Sequence, residues 1–191
     1  MNADKTKEED VVTDMFVVNS HDDLMFFSNL GKVYVLRAYN IPEAGRQNKG
    51  RALVNLLPLE ENEKINTILK FDRDDSAYLV LATKKGLIKK TKLSEFDNIR
   101  KNGKIAIRLN EGDSLVSAKI VHPGDELMIA SDNGKCLRFS EKAIRLVGRT
   151  SQGVKGMKIE PDENIIDMIA IDPTLDLLTV TEKGYAKRSK V

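Results

Sequence analysis

The chain has 191 residues, 41% hydrophobic and 31% charged, with a net charge of +2 at neutral pH. That balance excludes an unstructured polymer, and no apolar run approaches the roughly 18 residues that a membrane-spanning helix needs. The single cysteine, Cys136, excludes an internal disulfide and fits a reducing cytosol.

The opening stretch, MNADKTKEED, has no apolar segment of the kind that opens a secretory signal. Residues 1–10 read as a flexible start or the end of a linker, and residues 11–191 as one domain. From Val11 the pattern becomes β: VVTDMFVVN, a short turn at His21–Asp23, then LMFFSNLGKVYVL. That last segment is a hairpin, two β-rich runs joined by a polar turn that Gly31 closes. LVLATKKGLIKKT, LMIASDNGKCLRF and LLTVTEKGYAKRS repeat it around Gly86, Gly134 and Gly184, at spacings of 55, 48 and 50 residues.

Between hairpins the order also recurs. YNIPEAGRQNKGRA, LSEFDNIRKNGK and AIRLVGRTSQGVKG are loops, each followed by a short apolar run, an acidic turn and another strand. The apolar residue after each acidic turn is Val11, Ile65, Leu115 or Ile165, spaced 54, 50 and 50. Two landmarks thus share one period. Helical periodicity is nearly absent, apart from short turns that Ser94 and Ser140 are placed to cap. Four strands in about 50 residues predict an all-β propeller or pinwheel of four-stranded blades, one sheet per unit. The repeats run approximately 11–64, 65–114, 115–164 and an incomplete 165–191. The pattern reads as part of a longer array. Leu79, Val80, Leu127, Ile129, Leu177 and Val180 are predicted to be buried.

Charge is segregated along the chain. Residues 1–30 carry two basic and seven acidic groups, net −5; residues 81–110 carry nine and two, net +7; residues 111–175 carry eight and eleven, net −3. One surface meeting a polyanion explains this, and the alternative is solvated strand edges protected by lysine. Candidates for catalysis are few. His21 and His122 sit in polar turns and do not recur. Cys136 holds the position of Val33, Ile88 and Ala186 and reads as a small core residue. The acidic turns at Glu60–Glu63, Glu111–Asp113 and Glu160–Glu163 read as turn chemistry, and no phosphate-binding loop is present.

The cations recur instead. Lys90, Arg138 and Arg188 each follow a hairpin glycine by four residues, with Arg37, Lys89, Lys92 and Lys187 on the same strands. The loops add Arg46, Lys49 and Arg51, then Arg100, Lys101 and Lys104, then Arg149 and Lys155. Equivalent positions in a propeller share one rim, so these residues are expected to follow a phosphate backbone without reading bases. Aromatics are 5% of residues and Trp is absent, which disfavours single strands bound by stacking and favours duplex.

YNIPEAGRQNKGRALVNLLPLEENEKI, LSEFDNIRKNGKIAIRLNEGDSLV and GRTSQGVKGMKI resemble the C-terminal domain of bacterial DNA gyrase A, over nearly the whole chain. The resemblance implies a β-pinwheel, typically six-bladed, that wraps duplex DNA around its basic rim so that the holoenzyme introduces negative supercoils with ATP. It implies partners in gyrase B and the rest of gyrase A, two copies of each, in the bacterial cytoplasm at the nucleoid. ATP and Mg2+ would bind elsewhere in that assembly, with no cofactor, metal or catalytic residue here; the stretch alone is expected to be a monomer off the membrane. The family's heptapeptide Gln-Arg-Arg-Gly-Gly-Lys-Gly is missing. Its degenerate equivalent, Ala44–Gly50, keeps Arg46, Lys49 and Gly50. Two alternatives stand: the corresponding domain of topoisomerase IV, and a protein-binding propeller scaffold.

Overall fold

The computed structural model describes residues 14–45 and 50–191. In chain order the strands are β1 (Asp23–Ser28), β2 (Lys32–Arg37), β3 (Ile65–Phe71), β4 (Tyr78–Thr83), β5 (Leu87–Lys92), β6 (Lys104–Ile105) and β7 (Leu115–Val121). Then follow β8 (Glu126–Ser131), β9 (Cys136–Ser140), β10 (Val154–Lys155), β11 (Ile165–Ala170), β12 (Asp176–Val180) and β13 (Ala186–Lys190). Among the described residues the only helices are 3-10 turns of three or four residues, so none is long and apolar enough to cross a membrane.

The strands form antiparallel sheets in the orders β3-β1-β2-β6, β10-β5-β4-β7, β11-β8-β9 and β12-β13. The repeats 65–114 and 115–164 each hold the four strands that the sequence predicts, but the sheet membership differs. A hairpin sits at the middle of its own sheet, and both flanking strands come from the next repeat. β3 and β6 flank the first hairpin, and β7 and β10 the second. Each unit from Ile65 onward is therefore divided between two blades. β7 packs against both β3 and β11, which places these strands towards the axis and β6 and β10 at the outer rim.

The acidic turns cause the exchange. As each turn ends, its backbone bonds to the tip of the preceding hairpin: the N–H groups of Asn29, Lys84 and Asp132 donate to the carbonyls of Lys64, Ser114 and Asn164 at 2.8, 2.8 and 2.9 Å. The turn carboxylates reinforce it. Glu63 is buried and accepts from the Tyr34 hydroxyl at 2.9 Å and from Glu60 N–H at 2.8 Å. Asp113 accepts from Lys85 N–H at 2.9 Å. Glu163 is buried and accepts from the Ser131 hydroxyl, from Lys135 Nζ at 2.9 Å and from Glu160 N–H at 3.0 Å. Burial works to raise the Glu63 carboxyl, yet hydrogen bonds from Glu60, Ser28 and Tyr34 hold it below its ordinary value. The Lys135 ammonium, then Ser131 and Glu160, push Glu163 down to about 2. Turn chemistry is thus the right reading of these residues, and it extends into the neighbouring blade.

Packing explains why β4 reads as an unbroken apolar run. Leu79 and Leu81 face the first sheet, among Met25, Phe27 and Val33. Val80 and Ala82 face the third, among Leu127, Ile129 and Met168. A strand covered on both faces has no polar side to show. At the rim, Gly31 O accepts from Ala106 and Ile107 N–H at 2.8 and 3.1 Å, and Gly86 O from Gly156 and Met157 N–H at 2.9 and 3.3 Å. A Cβ on Gly86, whose φ is +84°, would lie 2.8 Å from the Met157 carbonyl.

Several expectations change. Asp14–Asn19 form no strand, and Val11 lies outside the described residues. Ser140 caps its 3-10 turn, accepting from Lys142 N–H, but Ser94 lies inside the Leu93–Phe96 turn that Lys92 opens. Cys136 is exposed rather than core, because β9 has β8 on one side and, among the described residues, no strand on the other. Leu79, Val80, Leu127 and Ile129 are buried as predicted. Leu177 is half-buried and Val180 exposed, since β12 and β13 pair only with each other among the described residues.

Two outcomes follow for stability. Gly184 has a φ of +81° with no atom within 4 Å of a built Cβ, so Gly184→Ala should cost about 1–2 kcal/mol of backbone strain. Gly86→Ala should cost clearly more in urea unfolding, because the rim strand must also move. A depressed carboxyl contributes stability that is present above its unfolded value and lost as pH falls through the folded one. Melting temperature should therefore fall between about pH 4.5 and 2, and less steeply in Glu163→Gln than in the wild type.

Candidate nucleic-acid interface

Among the described residues, Arg51, Arg100, Lys101 and Arg149 lie on the loops that follow the hairpins, Lys104 and Lys155 on the short strands β6 and β10, and the other predicted cations on the hairpin strands themselves. Arg51, Lys92, Arg100, Lys101, Lys155 and Lys187 are exposed. None of these six makes a salt bridge among the described residues. Three others are exposed but paired within their own hairpins: Arg37 with Asp23 at 3.4 Å, Arg138 with Glu126 at 2.5 Å and Arg188 with Asp176 at 3.2 Å. Cross-strand register sets these pairs. Asp23 lies directly opposite Arg37, while Glu126 and Asp176 each lie two residues from the arginine's opposite number, Met128 or Leu178, on the same face of the hairpin. Lys104 is half-buried on β6. Arg46 and Lys49 lie outside the described residues.

Three of the predicted contacts point into the protein instead. β5 lies between β10 and β4, covered on both faces, so its successive side chains enter two different interfaces. Lys89 is 1% exposed and donates to the carbonyls of Ala106, at 2.7 Å, and Arg149. Burial pushes its ammonium down to about 8; Glu95 opposes the shift and Arg149 adds to it. Lys90 is buried on the opposite face. It donates to the Glu141 carbonyl at 2.8 Å and to its carboxylate at 2.5 Å, with the Tyr78 ring 5.0 Å from its Nζ. Glu141 also accepts from Gly124 N–H at 3.2 Å. Arg149 is half-buried, its guanidinium donating to the Ile105 carbonyl and its backbone N–H to Glu95 at 2.8 Å. Placement by repeat equivalence missed this. Lys90 shares a hairpin position with Arg138 and Arg188, but their strands lack an outer neighbour among the described residues.

Other rim cations went unnoticed in the sequence. Arg108 and Lys158 are exposed, 50 residues apart, each next to the apolar residue that the rim strand buries, Ile107 or Met157. The period alone identifies them. Lys142 and Arg145 are exposed on the arc between Ser140 and Arg149. Both histidines are exposed as expected of turn residues, with His122 Nε2 3.1 Å from Asp74 Oδ2. Among the described residues no group of three or more His, Cys, Asp and Glu side chains is placed to hold a metal ion.

The family described as DNA gyrase C-terminal domain, beta-propeller, matches residues 22–72, 77–122, 125–172 and 175–191. DNA gyrase A of Salmonella typhimurium is 41% identical over 189 residues, which is 98% of this chain and 22% of that protein. The chain thus spans about a fifth of the length of such relatives. A solved DNA gyrase A C-terminal domain superposes with a TM-score of 0.74 at 35% identity, over 90% of this chain and 55% of that one. The C-terminal domain of a DNA topoisomerase IV gives 0.84 at 25% identity, over 98% and 59%.

The buried lysine has a measurable pH signature. Its folded value is depressed, so between about pH 8 and 10.5 the unfolded chain holds a proton that the folded chain does not, and stability rises with pH. The melting temperature of the wild type should therefore rise relative to that of Lys89→Met across this window; a constant difference would show that Lys89 titrates normally.

Proposed function

This chain belongs to the DNA gyrase C-terminal domain family of β-propellers, and from that premise we propose that it binds and bends duplex DNA around its outer rim. One observation carries the reading. Exposed cations free of salt bridges among the described residues, including Arg100 and Lys101 on one rim loop and Lys155 on the rim strand β10, stand on successive repeats of the array. Duplex DNA carries a negative charge every ~1.7 Å of its axis, so a row of spaced cations can track it whatever its sequence. Bending a site of 20–30 base pairs costs on the order of 1–6 kcal/mol, which requires several contacts acting together.

The wider role proposed is a DNA-wrapping part of a type IIA topoisomerase in the bacterial cytoplasm. Its partners are the remainder of gyrase A and gyrase B, and negative supercoiling is driven by ATP with Mg2+ bound in those other parts. The chemistry of strand cleavage belongs there too. The better superposition on a topoisomerase IV domain favours a second reading, a role in that enzyme, while the higher identity to gyrase favours the first. Joined to cognate subunits, the chain should support supercoiling of a relaxed plasmid on the first reading and only relaxation or decatenation on the second.

Binding should fall linearly on a log–log plot against salt, by about 0.9 per phosphate neutralised. Arg100→Gln, Lys101→Gln and Lys155→Gln should each lower that slope by about one, alike for shuffled duplexes. Loss confined to one sequence, or a salt-insensitive protein partner in place of DNA, would contradict the reading.

A further inference from the structure

The arc from Glu141 to Arg149 is held at both ends by buried lysines. At one end, Lys90 bonds both the carbonyl and the carboxylate of Glu141. At the other, Lys89 bonds the Arg149 carbonyl, and Glu95 accepts the Arg149 N–H. Lys89 and Lys90 are adjacent on β5, so a single strand of the second repeat grips the third repeat's rim loop through both of its faces. Lys89 also bonds Ala106, and the Arg149 guanidinium bonds Ile105, which ties the same arc to the rim strand β6. Two further bonds join these loops: Arg108 N–H to Ser151 O at 3.3 Å and Gln152 Nε2 to Asn110 Oδ1 at 2.9 Å. Between the held ends stand Lys142 and Arg145, both exposed.

We propose that Lys89, Lys90 and Glu95 are positioning residues that fix the Lys142–Arg145 arc relative to the rim loop of the preceding blade, and thereby set the angle through which bound duplex is bent. The inference rests on the DNA-binding reading above. Its chemistry is specific. Neither ammonium can touch a phosphate, because each is buried and bonded to two main-chain or carboxylate oxygens. What they determine is where the exposed cations stand. Affinity and bend angle therefore come from different residues. The exposed set supplies counterion release, and the buried set supplies curvature.

The test separates these quantities in the full 191-residue chain. A duplex of about 40 base pairs, well below the ~150 base-pair persistence length, carries fluorophores at its ends so that energy transfer reports the bend. Salt slopes are measured on the same duplex. Lys89→Met and Lys90→Met should lose about half of the wild-type bend while their salt slopes stay within about 0.5 of wild type, since no phosphate contact is removed. Should either methionine variant fail to fold, Glu95→Ala, on an exposed side chain, removes the bond to the Arg149 N–H at the end that Lys89 holds and should show the same split. Arg145→Gln should do the opposite, lowering the slope by about 0.9. Folded Lys89→Met, Lys90→Met or Glu95→Ala with an unchanged bend would overturn the proposal, as would a bend lost only in step with a falling slope. A wild-type chain with no salt-dependent binding would instead overturn the DNA reading on which the proposal stands.

Discussion

The architecture depends on the bond between each acidic turn and the hairpin before it. Asn29, Lys84 and Asp132 sit at equivalent hairpin tips and take equivalent carbonyls from the next repeat. Once that bond is made, the strand after the turn can only run antiparallel to the earlier hairpin. The rim strand then closes the other side through the hairpin glycine carbonyl. The first and second hairpins each take both flanking strands from the repeat that follows. The blades are held to one another by shared backbone hydrogen bonds as well as by apolar packing, and the array is stiffer than a row of self-contained sheets would be.

Depth decides what a cation does here. Lys89 and Lys101 are both lysines of the second repeat, yet one is enclosed and the other stands in solvent. Enclosing an ammonium is costly unless its hydrogen bonds are replaced, and Ala106 and Arg149 replace them. Lys90 follows the same rule with a carboxylate as partner. Once formed, such clusters strongly oppose rearrangement, because moving the loop would strand a buried charge.

The fold was legible because glycine and the apolar residue after the acidic turn repeat independently at one period. What could not be read was sheet membership, since a strand's partner depends on long-range hydrogen bonds that leave no local pattern. The same limit affected the interface. Spacing identified which residues were equivalent in the chain, and for Arg100, Lys101 and Lys155 that was enough to place them in solvent at the rim. For Lys89, Lys90 and Arg149 it was not, because neighbouring strands decide whether a position on β5 meets solvent. Cys136 failed for the converse reason: its core position requires a covering strand that β9 lacks among the described residues.

Strand exchange also imposes a schedule on synthesis. The first sheet begins at Asp23 and receives its last strand at Ile105. A ribosome adding roughly 5–20 residues per second needs about 4–16 s to deliver that interval. From the completion of β2 at Arg37 until β6 arrives, β2 has an open edge, and the nascent chain must keep it from pairing with anything else. Lys32 and Arg37 at the two ends of β2 suit that purpose, as edge charges oppose strand addition. The slow step in making this domain is then the wait for a distant partner, and slowing translation within 65–107 should prolong the aggregation-prone stage more than slowing it within a hairpin.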